Sequence, residues 1–76
     1  MPKVNLKMLA SFRELAGQEL ISADAKTPRE AIESIPCGAE ILQQTPLVAV
    51  NHTIVELDHS LAEGDEVAVM PPMTGG

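Results

Sequence analysis

Few side chains in this 76-residue chain are spaced to do chemistry by themselves. His52 and His59 fall in or beside turns, and their separation matches no zinc-ligand pattern, so they read as solvated turn residues and no metal site is expected. Cys37 is the single cysteine. It has no partner for an internal disulfide, no activating motif beside it, and reads as a small, partly buried hydrophobe rather than a nucleophile. Asp65 and Glu66 form a carboxylate pair in sequence only, because neighbours on a strand point to opposite faces. Ser11, Ser22, Ser34 and Ser60 have no positioned base and are better explained as caps, turns or solvated positions. Gly17, Gly38 and Gly64 are isolated, so no phosphate-cradling loop occurs.

What remains is the last stretch, "EVAVMPPMTGG". Pro71 and Pro72 cannot continue a strand ladder and favour an extended form with few backbone states. They are expected to end a strand and project a tail, residues 71–76, from a single domain spanning 1–76. Met73 offers an apolar contact and Thr74 a hydroxyl, whereas Gly75 and Gly76 offer backbone only. A segment without β-carbons threads a narrow channel and leaves a terminal carboxylate within reach of another protein's active site. The alternative is a frayed end, where glycines are also common. A strand, two prolines, a short spacer and two glycines in that order are harder to assign to fraying than the glycines alone.

The elements that hold this tail can be read along the chain. "KVNLKML" alternates, with Val4, Leu6 and Met8 on one face, and predicts a strand covered on one side. In "SFRELAG", Ser11 and Glu14 fit a capping box, Phe12, Leu15 and Ala16 supply an inward face, and Gly17 stops a short helix. "ELISA" follows as a second strand. "TPREAIESIP" predicts a helix over 28–35, capped by Thr27 and Glu30, opened by Pro28 and closed by Pro36, with a separate turn at 39–43. "LVAV" and "NHTIV" read as strands around a tight turn in which Asn51 takes a positive φ. Asp58 is expected to cap a turn near Ser60 and Leu61. A turn at Glu63–Gly64–Asp65 leads into a final strand in which Val67 and Val69 face one side and Ala68 and Met70 the other. The fold class is α+β, a mixed sheet of about five strands packed against one main helix and a short helical segment.

Apolar residues make up 45% of the chain, with Phe12 the only aromatic, so the core must be aliphatic. No run approaches a membrane span, and the start lacks a secretory signal, which makes the cytoplasm the expected location. The net charge of −6 is one-sided: residues 1–38 balance, while from Glu40 onward there are only acids. That disfavours nucleic acid as a partner. Glu63, Asp65 and Glu66 either steer a basic protein surface or simply keep a small domain soluble.

With these pieces placed, the chain resembles the small sulfur-carrier subunits of molybdopterin synthase, which are ubiquitin-like β-grasp proteins. The resemblance rests on "KVNLKML", "SFRELAG", "TPREAI", "LVAVN" and above all "LAEGDEVAVMPPMTGG". It implies that the first and last strands are central neighbours. It implies too that an ATP-dependent adenylating enzyme converts the Gly76 carboxylate to an acyl-adenylate. Sulfur supplied through an upstream sulfur-transfer protein then displaces AMP and leaves a thiocarboxylate. The large catalytic subunit of the synthase receives the tail, and the sulfur passes to cyclic pyranopterin monophosphate within a heterotetramer. On this reading no cofactor is bound permanently, AMP and sulfur are transient at Gly76, and the catalytic groups belong to partners. Gly75 gives clearance, while Thr74, Met73, Pro72 and Pro71 position the tail. Met70, Val69, Glu63, Asp65 and Glu66 are the expected partner-binding residues. Where family members often carry an aromatic residue before the prolines, this chain has Val69 and Met70. Rival readings are a sulfur carrier for thiazole or cysteine synthesis, a ubiquitin-like modifier, and a non-reactive acidic interaction domain.

Overall fold

The computed structural model describes residues 1–72. Alternating apolar residues build β1 (Lys3–Met8), whose Val4, Leu6 and Met8 have no solvent exposure. After α1 (Ser11–Ala16), β2 (Leu20–Asp24) returns antiparallel beside β1, and then α2 (Pro28–Glu33) and α3 (Gly38–Gln43) follow. β3 (Leu47–Val50) and β4 (Thr53–Val55) form a hairpin, and β5 (Glu66–Met70) closes the sheet in the order β2-β1-β5-β3-β4. β5 runs parallel to β1 and antiparallel to β3, so it is the middle strand. Val67 and Val69 join Val4, Leu6, Met8, Val48 and Val50 in an aliphatic core closed by Phe12, Ile32 and Ile41. Among the described residues no polar side chain is buried in it, so burial of apolar surface is the dominant stabilising contribution. Among the described residues, no helix covers the opposite face of the sheet.

The two helical starts differ from each other. Thr27 caps α2 as expected: its Oγ1 accepts from the Glu30 amide at 3.1 Å, while Glu30 Oε1 accepts from the Lys26 amide at 3.0 Å. α2 is two residues shorter than the predicted 28–35, because Ile35 precedes Pro36 and the proline ring disfavours helical backbone there. Ser11, by contrast, is the first residue of α1 and not its cap. Ala10 holds the cap position at φ 53°, with no side-chain cap bond. Phe12 and Ala16, one turn apart, face the core, whereas Leu15 is 39% exposed and not part of the inward face. Gly17 does end the helix, in the left-handed region at φ 77°.

The β3–β4 turn contains two positive-φ residues, Asn51 at 48° and His52 at 75°, which is the backbone of a two-residue hairpin turn whose twist matches that of the strands. Asp58 does not cap its local turn. Its carboxylate pairs with Arg29 on α2, 3.0 Å from Nε, and so ties the loop after β4 to that helix. No helix of the described residues is long and apolar enough to cross a membrane.

Candidate functional site: the root of the tail

β5 is held on both sides as far as Val69 and on one side at Met70. Val69 pairs with Met8 and Val48, and Met70 with Leu47. The Leu9 amide donates to the Val69 carbonyl at 3.0 Å. Beyond Met70 the ladder stops, as two residues without amide hydrogens require, and Pro71 and Pro72 lie half-buried. Met73, Thr74, Gly75 and Gly76 lie outside the described residues.

Val69 was expected to touch a partner together with Met70. The structure corrects this: Val69 has no exposure and packs in the core, and its alternation with Met70 leaves only Met70 on the open face of the sheet. Val69 therefore anchors the tail from below, and Met70 is the one of the two that lies on the open face.

The three carboxylates before β5 have separate jobs. Glu63 Oε1 accepts from the Lys3 amide at 2.9 Å, and the Gly64 amide donates to the Lys3 carbonyl at 2.8 Å. Gly64 has φ 85°, a conformation that favours glycine. Asp65 Oδ2 accepts from the Ala62 amide at 2.8 Å and Oδ1 from Asn51 Nδ2 at 3.0 Å. Asn51 also accepts from the Glu66 amide through Oδ1, and its own amide donates to the Glu66 carbonyl. The carboxylates of Glu63 and Asp65 are thus occupied in fixing the turn. Glu66 alone turns its side chain to the open face, into a hollow that Met70 also lines. The acidic turn sits at the far end of β5 from the tail, about 13 Å from Met70 at the usual rise per strand residue. Asn51 was missed as part of this arrangement; its positive φ was readable from sequence, its bonds to β5 were not.

His52 and His59 are exposed, and no group of three metal-ligating side chains occurs among the described residues. Cys37 is half-buried beside Leu15, Ile21, Ile35 and Pro36. The one ion pair among the described residues, Arg29–Asp58, holds the Asp58 carboxyl below its ordinary value, chiefly through the hydrogen bond from Arg29.

This arrangement of strand, prolines and tail has close counterparts. Residues 6–76 match the model of the ThiS family. The molybdopterin synthase sulfur carrier subunit of Escherichia coli is 35% identical over 80 aligned positions, covering 96% of this chain and 99% of that one. Among solved structures, a putative molybdopterin converting factor subunit 1 from Pyrococcus furiosus superposes with a TM-score of 0.77 at 30% identity, covering 96% of this chain and all of that one. Subunit 1 in the complex of molybdopterin-converting factor subunits 1 and 2 from Helicobacter pylori shares the fold, with a TM-score of 0.68 at 20% identity over 97% of this chain and 99% of that one. The β-grasp architecture and the match along nearly the whole length agree, and the chain belongs to the ThiS family of ubiquitin-like sulfur carriers.

Proposed function

We propose that the chain carries sulfur for molybdenum cofactor biosynthesis as a thiocarboxylate on Gly76. The observation that carries this reading is the 35% identity, end to end, with a molybdopterin synthase sulfur carrier subunit. The geometry supports it, because the tail leaves the middle strand of the sheet, which is paired on both sides. A carboxylate is a poor electrophile. In an adenylating partner, a Gly76 carboxylate oxygen attacks the α-phosphorus of ATP and pyrophosphate leaves. The outer sulfur of a persulfide on an upstream transfer protein then displaces AMP, and a thiol reductant cleaves the resulting acyl disulfide to leave the thiocarboxylate. The charged tail enters the large synthase subunit, where the sulfur passes to cyclic pyranopterin monophosphate, and water supplies the oxygen that restores the carboxylate for another round. Met73 and Thr74 position the end, Gly75 gives it clearance, and this chain supplies no catalytic group beyond the carrier end.

Intact mass spectrometry after incubation with the adenylating enzyme, ATP and a sulfur donor tests the reading. Replacement of one oxygen by sulfur is expected in the full chain and not in a chain lacking Gly76. An unchanged mass, or conjugates linked to lysines in its place, overturns it.

A further inference from the structure

The two edges of the sheet differ in what they offer to another strand. β4 has three residues, Thr53–Val55, and leaves little to pair with. β2 is longer, Leu20–Asp24; it contains neither proline nor lysine, and its register with β1 runs without a bulge. It therefore lacks the devices that commonly keep one sheet edge from joining another. The bonds at its two ends identify its free backbone groups. The Met8 amide donates to the Glu19 carbonyl at 2.7 Å, and the Ala25 amide to the Pro2 carbonyl at 3.0 Å. Since facing residues alternate between bonded and non-bonded pairs in an antiparallel ladder, residues 19, 21, 23 and 25 turn their amides and carbonyls toward β1. Those of Leu20, Ser22 and Asp24 turn outward. All three residues are exposed, Leu20 at 60%, and their outward groups meet no partner among the described residues.

We propose that β2 is a dimerisation edge, pairing antiparallel with β2 of a second copy about a two-fold axis through Ser22. In this register Ser22 faces Ser22 and Leu20 faces Asp24. Each outward amide then meets an outward carbonyl, so none of these groups is left over. The axis stands perpendicular to the sheet and keeps both helical layers on one side. On that side Ile21 lies opposite Ala23 of the second copy, a large apolar side chain against a small one. The surroundings there are apolar too, because Ile21 borders a hollow shared with Leu15, Ala16, Ile35 and Pro36. Charge permits the pairing despite the net −6 per chain: residues 1–38 balance, and the excess acid comes from Glu40 onward. Across the junction the open face reads Lys7, Leu20, then Asp24 and Lys3 of the second copy, so no like charges stand opposite each other. β1 separates β2 from β5, and the two-fold axis sends the ends of the two β5 strands in opposite directions. The dimer thus leaves both tail roots uncovered, and the inference does not depend on the sulfur-carrier reading.

A junction this small gives a weak dimer, so the test follows the full chain by sedimentation velocity from about 10 μM to about 1 mM. The sedimentation coefficient is expected to rise toward that of two chains. Ser22→Pro removes the outward amide at the axis, costs within the chain only the 3.4 Å hydroxyl contact with Asn5, and occupies a position that an edge strand tolerates. That variant is expected to stay folded and monomeric. Ser22→Lys and Ser22→Glu each place like charges at the axis and should be monomeric alone, whereas their equimolar mixture should associate. An unaltered chain that stays monomeric at about 1 mM overturns the proposal, and this is also the result expected if the edge serves only a strand of another protein. A folded Ser22→Pro or Ser22→Lys chain that associates within about twofold of the unaltered one overturns it as well, as does a Lys–Glu mixture that remains monomeric.

Discussion

The amide of Leu9 donates to the carbonyl of Val69 at 3.0 Å, so the segment after β1 holds the strand that leads into the tail at its last core residue. Val69 and Met70 are adjacent, yet one side chain lies in the core and the other on the open face.

That division predicts opposite phenotypes. Val69→Ala removes two buried methyl groups and should lower stability by about 2 kcal/mol in denaturant unfolding. Met70→Ala should stay within about 1 kcal/mol of the unaltered chain, since Met70 is only half-buried, while weakening association with the large subunit. Equal stability losses in the two variants would contradict the assignment.

The acidic turn separates in the same way. Asp65→Ala removes acceptors for the Ala62 amide and Asn51 Nδ2 and should cost about 1–2 kcal/mol of stability. Glu66→Gln removes a charge whose side chain makes no hydrogen bond within the described residues, and thermal unfolding should change little. A larger loss in the second variant than in the first would show that the turn is held otherwise.

The Arg29–Asp58 pair sets a pH dependence. The folded carboxyl lies below its unfolded value, so its contribution is complete above the ordinary carboxylate range and is lost as pH falls through the folded value. Both groups are well exposed and the effect on stability should be small. The carboxyl carbon of Asp58, followed by NMR, should titrate at a lower pH in the unaltered chain than in Arg29→Gln. Coincident titrations would remove the pairing.

Much of this was legible in the sequence because local signals agreed with the fold. Alternation fixed the inward faces of β1 and β5, Thr27 and Pro28 marked the start of α2, and Asn51 marked the hairpin. The misreadings share one cause. Ser11 looked like a cap and Asp58 like a turn former on local grounds, but helix entry at Ala10 and the approach of Arg29 depend on tertiary placement. Glu63, Asp65 and Glu66 looked alike as a charge run, whereas the Lys3 amide claims Glu63 once β1 lies beside the turn, and Asp65 takes the local Ala62 amide and the Asn51 side chain from the end of β3. The hollow was not legible at all, since it needs the register of four strands.

The middle position of β5 also has a mechanical meaning. Its ladders to β1 and β3 lie on both sides and run along the direction in which the tail leaves. A pull on the tail loads both ladders in shear, along many bonds at once, where an edge strand would peel away one bond at a time. On the function proposed above, the tail is a handle fastened to the middle line of the sheet, by which a partner draws the carrier in and lets it go without unravelling it.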